Sequence, residues 1–335
     1  MHHLAVHGHC SRRILGIMNL FRNLFATNPK EESDLLRAIE EAVFRVDPLL
    51  KQAHRYPNAF RKPVLTAFEY AHSLAIRVPS SVAIDLNPLD WNAYVHAIFS
   101  SREMILEAFQ TSRAIQDYLR EHPTTDQAYA LMGMRRREKT QMGMELSGQI
   151  IQRDVPQQVV YFTSHTIVDP APTEAEARGR VAWGFFNNLV NKVAKRIALR
   201  KEELQSQLQE MDLLKAHLHT ASDETRPALK KDLSRMMANI HATTRSLDLT
   251  NYLDDFEAVL LNPEQHLHLD QSTLILDSMG IRRDSDKSEQ GKVIIFNELI
   301  GFDRRNWTVT MVHCRNLKRE SFAERLETAY RQLSI

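Results

Sequence analysis

A chain of 335 residues, 43% of them hydrophobic, has enough apolar material for two compact bodies, or for one body with a large appendage. Its 43 Lys and Arg stand against 42 Asp and Glu, evenly spread, which argues against a protein built to bind phosphate backbones by bulk attraction. Two cysteines, Cys10 and Cys314, exclude a disulfide framework and a four-cysteine zinc site, so a reducing, cytoplasmic setting is expected.

No run approaches the roughly 18–20 uninterrupted apolar residues of a spanning helix, so no transmembrane segment is expected. Met1–Ile17 holds His2, His3, His7, His9 and Cys10 without a hydrophobic period. Residues 1–30 read as a flexible tail with an alternative start at Met18, after which Leu20, Phe21, Leu24 and Phe25 form an amphipathic turn. Helical periodicity begins after Pro29, with Leu35, Leu36, Ile39, Val43, Phe44 and Val46 on one side and Asp47-Pro48 as its end. Lys62-Pro63 opens a second helix that Val78-Pro79 closes. A third is expected from about Ser101 to His122, and a fourth, capped by Thr124-Thr125-Asp126, through Leu146. Residues 31–150 therefore read as one helical domain.

The β-rich run Val159–Val168 then predicts a strand. Thr173-Glu174-Ala175-Glu176 has capping-box spacing, and a helix is expected from about Glu174 to Leu218. Within it Val190, Ile197, Leu204, Met211 and Leu218 recur every seven residues. Val193, Leu208 and Leu214 partly fill the intermediate rows, and Arg200 and Lys201 interrupt them. This is an imperfect coiled-coil seam. The short polar turn Thr220–Thr225 forces the returning helix, through Leu229, Leu233, Met236 and Ile240 to Leu260, to lie antiparallel. Three β-rich runs, about His266–Asp277, Lys292–Ile300 and Trp307–Cys314, predict an antiparallel meander, and Ser321–Leu333 a terminal helix. The expected class is α+β, predominantly α. A helical unit is followed by a strand and a long helical hairpin over 151–262, inserted in or appended to a small antiparallel sheet completed by 263–335.

Chemistry-bearing residues are few. His266, His268 and Asp270 would share one face of a strand at i, i+2 and i+4, and His313 could approach them. The run resembles the HxHxDH ligand run of metallo-β-lactamase-type hydrolases, with Gln271 where that pattern has its last histidine. Arg135, Arg136, Arg137 and Lys139 form a basic patch, and Lys192, Lys195, Arg196, Arg200 and Lys201 a second one followed at once by Glu202 and Glu203. Neither is interleaved with aromatics for stacking bases. Asn297–Trp307 reads as a hairpin loop with its own ion pairs. No phosphate-binding glycine loop, GxSxG, HExxH or CxxC occurs, and no cofactor is implied.

The expected function is an interaction or assembly protein that binds another protein or itself through Val190, Ile197, Leu204, Met211 and Leu218. The alternatives are a metal-dependent hydrolase using the strand histidines and a nucleic-acid-binding protein using the basic patches.

Overall fold

The computed structural model describes residues 29–52, 55–147, 150–283, 291–301 and 306–318. The expected N-terminal tail, the terminal helix Ser321–Leu333 and Asp303, Arg304 and Arg305 of the hairpin loop lie outside these residues. The class is α+β and predominantly α, with eight α-helices and a six-stranded sheet among the described residues. Two compact units divide the chain, one up to Phe68 and from Leu189 to Asn262, the other from Glu69 to Asn188 and from Pro263 onward.

In the first unit, α1 (Pro29–Val46) buries Leu35, Ala38, Ile39, Ala42 and Val43. That stripe is narrower than the sequence pattern, for Leu36 and Phe44 are exposed. Asp47 ends the helix, its carboxylate accepting the Leu49 N–H at 3.0 Å. Helix α2 (Asn58–Arg77) starts a turn earlier than Pro63, which sits inside it. A proline there removes only one backbone hydrogen bond, and burial of Phe60 against Phe256, edge to face at 5.1 Å, favours the earlier start.

The second unit contains α3 (Ala93–Ile98), α4 (Arg102–Thr111) and α5 (Arg113–Glu121), capped by Asn92, Ser101 and Ser112. A single helix over 101–122 is thus corrected to two. Ser112 leaves helical geometry, its hydroxyl accepting the Ile115 N–H at 3.3 Å and donating to the Ile167 carbonyl at 3.2 Å. The break tethers the helix pair to the sheet.

The larger correction concerns the fourth expected helix, which is strand β2 (Ala128–Ser147), paired with β3 (Ile150–Ala171). Ala128, Ala130, Met132 and Met134 are buried at a period of two. Ala, Met, Arg, Glu and Lys favour helix, but sheet pairing and burial override that weak preference. The sheet runs β3, β2, β6 (Asn306–Cys314), β5 (Lys292–Ile300), β4 (His268–Leu276). All these neighbours are antiparallel, so the expected meander is present and the strand around Val159–Val168 joins it. β5 pairs with β6 at Asn306–Val309, and β1 (Val82–Ile84) takes the same edge in parallel at Val312–Cys314. The long helix α6 (Glu174–Thr220), α7 (Arg226–Ser246) and α8 (Leu249–Leu260) come in the chain between β3 and β4. The Thr173 cap is formed, its hydroxyl accepting the Glu176 N–H at 3.3 Å.

β3 carries three residues in the left-handed region, Asp154, Ser164 and Asp169, at φ 56–58°. Each accompanies a register shift against β2. Such bulges add twist and bend the ribbon. The bent β3 meets the chain after β4, where Val160 N–H donates to the Gly280 carbonyl (2.9 Å), Arg282 N–H donates to Gln158 (2.8 Å), and Ile281 bridges Val159. Asp277 organises this turn, accepting from the Met279 and Ile281 N–H groups at 2.9 Å and from Arg283 at 2.7 Å. The two edges of the sheet are thereby linked. Inside lie Met132, Met134, Val160, Phe162, Leu274, Leu276, Ile294 and Phe296, with Ile98, Phe99, Ile105 and Ile115 from the short helices.

Gly280 has φ +74°, and a Cβ there would stand 2.7 Å from the Val160 carbonyl oxygen. Gly280→Ala should therefore lower stability by about 2–3 kcal/mol. Gly179, inside α6 with nothing within 4 Å, is the control, and Gly179→Ala should raise stability by about 0.5–1 kcal/mol. Urea unfolding of both variants reads the difference.

At the Asp169 bulge, burial pushes the carboxyl pKa up, and Arg180 opposes this only in part. A raised folded pKa means that the site stabilises below the unfolded pKa and loses this as pH rises through the folded one. Asn tolerates the left-handed backbone and carries no charge. Asp169→Asn should raise Tm at pH 7, and the gain should shrink to nothing near pH 3, followed by thermal melts across that range.

Candidate functional site

The hairpin is built from the outer parts of α6 and from α7. Arg200 of α6 donates from Nη1 to the Ser246 carbonyl at 2.8 Å, at the end of α7. Twenty residues of helix, roughly 30 Å, separate Arg200 from the turn on one side and the turn from Ser246 on the other. The two helices therefore run antiparallel. The expected single return helix is divided at Leu247, and Asp248 caps α8 by accepting the Thr250 N–H at 3.2 Å.

The hairpin's base is held by charge. Asp255, 5% exposed, accepts from Arg200 and, at 3.3 Å, from Arg196. Lys201 pairs with Asp47 at 2.9 Å, which keeps the Asp47 carboxyl below the usual range despite its burial. The second basic stretch is in this way tied largely into the scaffold. Arg200 interrupts the apolar seam because it occupies a seam position whose neighbour is a buried carboxylate.

Of the seam residues, Val190 and Ile197 are fully buried with Val193, whereas Leu204, Met211 and Leu218 are only half-buried. Gln207 and Leu214 complete the alternation of three and four, and they too are half-buried. Leu208 lies off the row and is 40% exposed. From Ala198 to Asn251 no side chain is buried. Leu229, Leu233, Met236 and Ile240 of α7 are half-buried, and Leu199, Leu213 and Met237 are exposed. The Gln207 amide donates to Glu203 at 3.1 Å, while its Oε1, out of solvent contact, has no hydrogen-bond partner.

The other candidate residues are dispersed. His266 lies in the turn before β4, its N–H bonded to Pro263, and only His268 and Asp270 share the strand, 3.8 Å apart. His313 stands seven residues along β6 from Asn306, whose cross-sheet row through Ile300 contains His268, a separation of about 23 Å along the strand. There it stacks on Tyr129 at 4.2 Å, with Gln127 on Nε2 and Arg315 donating to Nδ1, and burial with the Arg315 charge pushes its pKa down. Burial pushes the Cys314 thiol up to about 12. Among the described residues no three His, Cys, Asp or Glu side chains are arranged to hold a metal ion.

No protein-family model, curated protein or solved structure matches the chain.

Strand alternation divides the basic run. Arg136 donates to Glu298 at 2.5 Å and to Ser272 at 2.8 Å. Arg135 lies over the Trp307 ring at 4.3 Å, and Lys139 is 5.7 Å from the Tyr161 ring. Trp307 and Tyr161 are distant in sequence, and only the pairing of β2 with β3 and β6 brings them to the basic run. Among the described residues no helix is long and apolar enough to cross a membrane.

Removing the Asp255 carboxylate would leave Arg196 and Arg200 facing a buried site without their counter-charge. Asp255→Ala should cost about 1–3 kcal/mol, since Arg196 and Arg200 keep part of their solvation, measured by urea unfolding with helicity as the probe.

Proposed function

We propose that this protein is an assembly protein that pairs with a second copy of itself through the hairpin formed by α6 and α7. The observation that carries this reading is the stretch from Ala198 to Asn251 in which no side chain is buried, although heptad-spaced Leu, Met and Ile run along both helices. Two helices alone can cover only one side of such a seam. A second hairpin would recover roughly 1 kcal/mol for each half-buried Leu or Met it covers, and seams of this kind recruit further helices.

Charge favours a like partner. Between Lys201 and Thr220, Glu202, Glu203, Glu210 and Asp212 outnumber Lys201 and Lys215, while α7 carries Arg226, Lys230, Lys231, Arg235 and Arg245 against Asp232. Packing α6 of one copy on α7 of the other brings opposite charges together across a two-fold axis.

Light scattering during size-exclusion chromatography of the full chain should show a dimer, and Leu204→Glu with Met211→Glu should convert it to a monomer that keeps its helical content. A wild-type monomer at about 100 µM, or a double variant that remains assembled, would overturn the reading.

A further inference from the structure

We propose that the face of the β2–β3 ribbon bearing Arg135, Arg137 and Lys139, with Tyr161 and Trp307, binds single-stranded nucleic acid. The inference is independent of the hairpin reading, since it uses residues of the other unit only.

The sequence shows a mixed run in which Arg135, Arg136, Arg137 and Lys139 surround Glu138. On a strand, alternate side chains point to opposite faces. Arg136 and Glu138 therefore share one face, where they pair at 3.5 Å and Arg136 also meets Glu298. The acidic partners are used up there. Arg135, Arg137 and Lys139 share the other face at a repeat of about 7 Å. Their neighbours on β3 are Thr163, Tyr161 and Val159. From Arg135 to Gly143, and from Val155 to Thr163, no carboxylate falls on this face.

The rings are the second component. Tyr161, 40% exposed, stands opposite Arg137, with the Lys139 ammonium 5.7 Å from its ring. Trp307 reaches across Gly133, where a Cβ would lie 3.4 Å from its Cε3, and the Arg135 guanidinium covers its ring. A guanidinium stacked on an indole forms a flat cationic layer on which a further planar group can lie. Cations in a row beside such platforms suit a strand whose bases are unpaired, because phosphates meet the charges while bases stack. A duplex has its bases already stacked and offers this face phosphates alone.

The test is fluorescence anisotropy of the full chain with a labelled oligothymidine of about 20 nucleotides and with a duplex of equal length, at several salt concentrations. The single strand should bind at low salt, with log Kd rising by about 2 per decade of salt for three phosphate contacts. The duplex should bind at least tenfold more weakly. Arg137→Ala with Lys139→Ala, both at exposed positions, should weaken binding at least tenfold and bring the salt slope to about 1 or less. Tyr161→Ala should weaken it by fivefold or more with the slope unchanged. Lys51→Ala with Lys62→Ala, exposed positions outside both the ribbon and the hairpin, the same loss of charge elsewhere, should stay within twofold of wild type. No binding at low salt, equal affinity for the duplex, or equal loss in the Lys51 and Lys62 control would overturn the proposal.

Discussion

A strand of 22 residues, β3, would extend about 70 Å if straight, more than twice the length of the nine-residue strands β4, β5 and β6. β2 pairs with it from end to end, and the pair accommodates its length by bending. Asp154, Ser164 and Asp169 each take the left-handed backbone and admit one extra residue against β2. The curvature brings the backbone groups of Gln158 and Val160 to the loop at Gly280 and Arg282, so groups on the β3 edge find partners. The apolar side chains enclosed by this closure are those against which α3, α4 and α5 pack. Bend, edge pairing and core are one constraint expressed three times.

The helical unit rests on a different balance. Its base is well packed, with Val190, Val193 and Ile197 fully buried, as are residues of α1, α2 and α8, and it is oriented by the buried Asp255 between two arginines. Buried ion pairs add little net stability, but they hold geometry, because losing either partner strands a charge. Outward of Arg200 the same heptad continues without a layer to cover it. Interior and candidate interface are thus consecutive parts of a single periodic pattern, separated by one arginine.

The β-ribbon treats charge as the hairpin treats apolar surface. A pleated strand sorts neighbours in sequence to opposite faces. One face of the basic run neutralises itself through Glu138 and Glu298, and the other keeps its cations beside aromatic rings. Near-neutrality of the chain as a whole is compatible with such a surface, because screening confines electrostatics to about 8–10 Å.

Much of the order of elements was legible from local pattern. Asp47-Pro48 ended a helix, Thr173 capped one, the seven-residue repeat from Val190 to Leu218 marked the long helix, and the three C-terminal β-rich runs fell within a few residues of β4, β5 and β6. These signals act between residues close in the chain, where spacing alone sets which side chains share a face. The helix expected over 124–146 failed because Ala, Leu, Met and Arg prefer helix in isolation, and what makes 128–147 a strand is pairing with β3 and β6 across long chain separations. The same distance hid the candidate site. That Trp307 and Tyr161 stand beside the basic run, that Asp255 receives Arg196 and Arg200, and that His313 is far along the sheet from His268 are matters of register and packing. The sequence by itself determined the periodicities, the caps and the long hairpin; the tertiary structure alone decided which distant residues meet, since contacts across the fold follow from cooperative burial and not from spacing.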